Sequence, residues 1–110
     1  MDNKTLEILI EIRNQLKRED AKFPCNCCDW ASDMVQEQLN FKQVLGVFID
    51  ITGRKYGHYW NVSSQGEIVD LTAGQFDKTL PDIYVLPKDS LVAQERYVEK
   101  VCGLRKSRGR

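Results

Sequence analysis

The chain has 110 residues, enough for one domain built on one modest core. Hydrophobic residues make up 42% and charged residues 29%, the balance of an ordinary globular protein. Lys+Arg and Asp+Glu both number 16, so the net charge is zero, which argues against a general binder of nucleic acid or anionic membrane, either of which needs a basic excess. No apolar run approaches the ~20 residues of a bilayer span. The start, Met1-Asp2-Asn3-Lys4 followed by a stretch broken by Glu7, Glu11 and Arg13, lacks the basic, apolar and small-residue regions of a secretory signal. A cytoplasmic location is expected, in which the four cysteines stay reduced and act, if at all, as thiolates or metal ligands.

In chain order, residues 5 to about 18 read as a helix, with Ile8, Leu9, Ile12 and Leu16 at helical spacing and Thr5 as a weak cap. Residues 20–24 break that pattern. A second helix is expected from Cys28 to about Leu39, its buried stripe formed by Ala31, Met34, Val35 and Gln38–Leu39. Residues 44–51, rich in β-branched and aromatic side chains, suit a strand. A turn at 52–55 leads to a second strand over 56–62, a turn at 63–66 to a third over 67–71, and Pro81 and Pro87 bracket a fourth over 83–86. Lys88-Asp89-Ser90 opens a last helix, with Leu91, Tyr97, Val98 and Val101 facing inward, that stops near Gly103.

Helices first and hairpin-connected strands afterwards predict an α+β fold, with a helix packed on an antiparallel sheet and flanking N- and C-terminal helices. Residues 1–104 form the one expected domain, and 105–110 read as a basic, disordered tail.

The chain has a single histidine, His58, in the aromatic run Tyr56-Gly57-His58-Tyr59-Trp60-Asn61. Strand alternation puts His58, Trp60 and Val62 on one face, and Ile68 and Asp70 on one face of the next strand. Folding at 63–66 makes His58 and Asp70 cross-strand neighbours to within one register step. A carboxylate beside an imidazole holds its tautomer and stabilises its protonated form. A nucleophile then has to come from elsewhere. Cys28 is the last cysteine before the second helical pattern. A helix N-terminus carries about half a positive charge, which favours thiolate, and a nearby imidazolium favours it further. Cys25 and Cys27 are less well placed.

Cys28 opening an alanine-containing helix resembles the nucleophile helix of papain-like and transglutaminase-like enzymes. The stretch His58-Tyr59-Trp60-Asn61, then Asp70-Leu71-Thr72, then Gln75-Phe76, is similar to the signature of small bacterial YunG-like proteins. The resemblance spans residues 28–76, and the order Cys, His, Asp agrees with the transglutaminase-like pattern. It implies a papain-like or transglutaminase-like core and a Cys28–His58–Asp70 triad. The implied reaction is cysteine-dependent hydrolysis or acyl transfer on a peptide or a small amide or thioester, without a cofactor. The Cys25-Asn26-Cys27-Cys28 cluster departs from the pattern, and no oxyanion glutamine can be placed before Cys28. Asn26 or backbone N–H groups at the helix start are the candidates for that role, and Trp60 for a cleft wall.

Other readings stand beside this one. A lone histidine in an aromatic strand is often only packed, and Asp70 before Leu-Thr can simply cap a turn. Cys25-x-x-Cys28 has the spacing of a zinc half-site, but no second such pair exists; Cys27, Cys102 or His58 would have to complete it. The same pair is a candidate redox dithiol, although no βαβ pattern precedes it. Cys102 reads as a buried small hydrophobe. A catalytically silent interaction module on the same fold is the remaining alternative.

Overall fold

The computed structural model describes residues 1–20, 22–23 and 28–100. Helix α1 (Asn3–Glu19) starts two residues before Thr5 because Asp2 is its N-cap, accepting a hydrogen bond from the Thr5 backbone N–H at 2.7 Å. Its buried stripe is Leu9, Ile12 and Leu16. Helix α2 (Cys28–Leu39) buries Ala31, Ser32 and Val35. These two helices and the side chains of Val69 and Leu71 form one apolar cluster.

The strands are β1 (Lys42–Ile49), β2 (Lys55–Val62), β3 (Glu67–Asp70), β4 (Tyr84–Pro87) and β5 (Tyr97–Glu99), with helix α3 (Leu91–Arg96) before β5. They pair antiparallel in the order β4-β3-β2-β1-β5. The result is an α+β arrangement of three helices and a curled five-stranded sheet among the described residues. The two hairpin turns carry glycines at positive φ, Gly53 and Gly66, where other residues would be strained. Asp50 fixes the first turn: its Oδ1 accepts from the Thr52 and Arg54 backbone N–H groups.

The curl is measurable from side chains. Tyr97 on edge strand β5 donates its hydroxyl to Asp70 on β3 at 2.7 Å, and its ring lies 6.4 Å from that of Tyr84 on the opposite edge strand. In a flat sheet β5 and β3 would be three strand spacings apart, roughly 14 Å, beyond one tyrosine's reach. The concave face therefore holds a second core of Val44, Phe48, Trp60, Ile68, Leu86, Ala93 and Tyr97. The polar pair His58 and Asp70 sits inside this core.

The C-terminal part differs from expectation. Helix α3 ends at Arg96 and the chain passes directly into β5, which pairs with β1 through Val47↔Val98 and Phe48↔Tyr97. Leu91 is 78% exposed and Val98 46% exposed, so neither faces inward; Tyr97 is buried, but from a strand. A helix of fewer than two turns has little stability of its own. Tyr and Val favour strands, and the free edge of β1 offers unpaired backbone groups. Val101, Cys102, Gly103 and the basic tail lie outside the described residues, as do Pro24, Cys25, Asn26 and Cys27. None of the described helices is long and apolar enough to cross a membrane.

Candidate active site

The β2–β3 hairpin pairs Asn61 with Val69 and Val62 with Ile68. Extended by one residue, that register sets Asp70 opposite Trp60 and puts His58 on the diagonal. The diagonal is close enough for side chains of this length to meet. His58 Nε2 and Asp70 Oδ2 are 2.8 Å apart, and the residues are only 1% and 2% exposed. Because the carboxylate can only accept, Nε2 carries the proton. Nδ1 is then the nitrogen left with a lone pair when the ring is neutral.

Asp70 belongs to a local device that the chain uses three times. In Asp50-Ile51-Thr52, Asp70-Leu71-Thr72 and Asp77-Lys78-Thr79, the carboxylate Oδ1 accepts from the threonine backbone N–H and from its hydroxyl. Asp70 does cap its turn, as one reading of the sequence holds, and the short 3-10 segment Ala73–Gln75 follows it. Only at Asp70, however, is the second oxygen committed to a histidine. That oxygen also accepts the Tyr97 hydroxyl. The imidazole is boxed by aromatic rings: Phe76 edge-on at 4.9 Å, Phe48 at 6.0 Å and Trp60 at 6.1 Å between centroids.

Helix α2 brings Cys28 to the pair. A polar seam fixes the helix against the sheet. Asn61 Nδ2 donates to the Ser32 carbonyl at 3.0 Å and to the Phe41 carbonyl at 3.3 Å. Gln43 Nε2 donates to Ser32 Oγ and Asp33 Oδ1, each at 2.6 Å. β3 pairs with β2 only at Asn61 and Val62, so β2 is free of β3 at His58 and Tyr59, where the helix start lies. There the Cys28 sulfur interacts with the Tyr59 backbone N–H and with the His58 ring. His58 Nδ1 is buried without a regular hydrogen bond among the described residues, and Cys28 is the other ionisable group acting on the ring. A crevice of about 160 Å³, too narrow for a water molecule, runs between Cys28, Ser32, Tyr59, Asn61 and Asp70. Cys28 itself is half-buried.

The electrostatics follow from this geometry. Burial opposes charge on Cys28, but the His58 hydrogen bond, the Tyr59 N–H and the imidazolium charge outweigh it and hold the thiol below its ordinary pKa. Burial likewise opposes the His58 imidazolium, yet the Asp70 charge and hydrogen bond, with Cys28, raise its pKa from 6.5 to about 9. Asp70 is fully buried and still held below the usual carboxylate range, by His58 first and then by the Thr72 N–H and Tyr97 hydroxyl. Both shifts run toward the charged forms: the thiol is held below its ordinary value and the imidazole above its own, over a carboxylate held below the usual range.

Cys28, His58 and Asp70, the three residues expected from the sequence, are brought together. Trp60 lines the crevice but is only 3% exposed, its ring edge-on to Tyr97 at 5.0 Å. Asn26 lies outside the described residues, as do Cys25, Cys27 and Cys102, on which the zinc and dithiol readings rest. Among the described residues no cluster of three or more His, Cys, Asp or Glu is placed to hold a metal ion. Sequence reasoning missed Tyr97, Thr72 and Phe76 as neighbours of the pair. The Asp-x-Thr repeat signals Thr72; nothing local signals Tyr97, whose contact depends on the curl of the sheet. No family model, curated protein or solved structure matches the chain.

Proposed function

We propose that the protein is a cysteine-dependent acyl enzyme, a hydrolase or acyltransferase with a papain-like or transglutaminase-like core, and that Cys28, His58 and Asp70 are its machinery. One observation carries this reading: the only histidine of the chain is held through Nε2 by a buried carboxylate, and its ring interacts with a cysteine at a helix start.

In this chemistry the Cys28 sulfur bonds to a carbonyl carbon while the π pair moves to oxygen. Backbone N–H groups at the start of α2 are the candidate oxyanion donors. When the adduct collapses, the leaving amine or thiolate takes the proton of the His58 imidazolium. Water or an amine then gives a proton to neutral His58 as it attacks the thioester, and Cys28 departs as thiolate. Water gives hydrolysis; an amine gives transfer.

Timed iodoacetamide labelling at neutral pH, read by peptide mass mapping, tests the reading. Cys28 is expected to label fastest of the four cysteines, and His58→Ala to suppress that advantage in a protein whose circular dichroism is unchanged. Equal labelling of all four overturns it and leaves the silent interaction module.

A further inference from the structure

Asp70 Oδ2 is shared. His58 Nε2 lies 2.8 Å from it and the Tyr97 hydroxyl 2.7 Å from it. We infer that Tyr97 is a positioning residue of this site: by donating to the same carboxylate oxygen that holds the imidazole, it lets Asp70 remain an anion when His58 gives up its proton. The inference rests on the acyl-enzyme reading for its purpose, but its geometry and its test do not.

The physical argument concerns one moment in the cycle. While His58 is protonated, its charge compensates the Asp70 charge across their hydrogen bond. Once the proton leaves, a lone carboxylate remains inside an apolar core, where an uncompensated ion is costly. Donors that stay behind then matter most. Thr72 supplies its N–H and hydroxyl to Oδ1, and Tyr97 supplies the donor to Oδ2. Tyr97 therefore stabilises the deprotonated pair more than the protonated one, which makes the His58 proton easier to transfer. Burial, and then the Asp70 charge, keep the Tyr97 hydroxyl itself protonated. The other titratable groups facing the pair, among the described residues, are Cys28 from α2 and Tyr84 from β4; β1 contributes Phe48 and the segment after the 3-10 turn contributes Phe76.

The position of Tyr97 makes this a property of the C-terminal segment. β5 adds to the edge of β1 and, through the curl of the sheet, places one hydroxyl three strands away. The strand that closes the sheet also completes the hydrogen bonding of the buried carboxylate.

The chain has one histidine, so a ¹⁵N–¹H NMR titration reads His58 without ambiguity. Tyr97→Phe is expected to raise the His58 midpoint by about one pH unit, a tenfold tighter hold on the proton. Tyr84→Phe is expected to leave it in place. If Tyr97→Phe does not fold, 3-fluorotyrosine at position 97, a better donor of the same shape, is expected to lower the midpoint. An unchanged or reversed shift in either variant overturns the inference. Because the readout is the histidine and not cysteine chemistry, a shifted midpoint with unselective Cys28 labelling would remove the enzyme reading and keep Tyr97 in this role.

Discussion

His58 and Asp70 meet diagonally across the β2–β3 hairpin, Nε2 to Oδ2 at 2.8 Å, with almost no solvent on either side. Opposite charges buried in this way cannot be separated cheaply, because removing one leaves the other unpaired in an apolar core. The pair is therefore both the orienting element of the proposed site and a structural commitment of the fold.

Asp70→Asn tests the orientation. With the Thr72 N–H and hydroxyl holding the Oδ1 position, the asparagine NH2 takes the place of Oδ2 and Nε2 must accept from it; the proton of the neutral ring then sits on Nδ1, which can no longer take a proton. Cys28 alkylation at neutral pH is expected to slow by about tenfold or more as the thiol returns toward its ordinary pKa. Asp70→Ala is expected to cost about 3–5 kcal/mol in urea denaturation, since it strands the imidazole and removes the turn cap as well.

Stability should depend on pH with a definite sign. His58 binds its proton more tightly folded, with a pKa of about 9 against 6.5 for the free side chain. Its contribution is fully present below 6.5 and is lost as pH rises through about 9. Asp70 is depressed, so its contribution is present above 3.8 and is lost as pH falls through its lower folded value. The His58–Asp70 interaction underlies both limbs and is counted once; with the part that Cys28 adds to the His58 shift, it is worth about 3 kcal/mol at most. Thermal melts are expected to plateau between these limits and fall on both sides; His58→Gln is expected to flatten the alkaline limb.

Gly46 is expected to be intolerant. A Cβ there would overlap the Val98 carbonyl oxygen and the Trp60 ring, because β5 and Trp60 both crowd the glycine. Gly46→Ala is expected to destabilise by about 1–3 kcal/mol, the usual range for overpacking, and to loosen β5. Loss of slow-exchanging amides at residues 97–99 in hydrogen exchange checks this.

Asn61 holds helix α2 to the strand that carries His58. Asn61→Ala removes the amide donor from the Ser32 and Phe41 carbonyls and is expected to cost about 1–3 kcal/mol. Cys28 labelling is expected to slow as well, because the seam sets α2 against β2. Unchanged labelling in a destabilised protein would show that the seam serves stability alone.

The legible part of this chain is its local part. Periodicity located α1 and α2, and alternation located the strands from β1 to β4 within one or two residues at most ends. The hairpin between residues 62 and 67 has a short turn with Gly66 at positive φ, so its register could be counted, and that count alone brings Asp70 to His58. From the sequence, the spacing of Leu91, Val98 and Val101 places Tyr97 on a helix. What decides its state is the open edge of β1 many residues away, which no local pattern encodes. The same holds for the Tyr97–Asp70 hydrogen bond, which exists only because the sheet curls. Asp2 was overlooked as the cap of α1, although Asp-x-x-Thr at a chain start carries the chemistry of an N-cap.

The most direct measurement is the thiolate absorbance of Cys28 near 240 nm as a function of pH, in a variant with Cys25, Cys27 and Cys102 replaced by serine. A thiolate held by His58 over a buried carboxylate is predicted to persist well below the ordinary thiol pKa of about 8.5, and to require His58, so that His58→Ala shifts the titration upward. A Cys28 that titrates at or above the ordinary value, with or without His58, would contradict the proposed site.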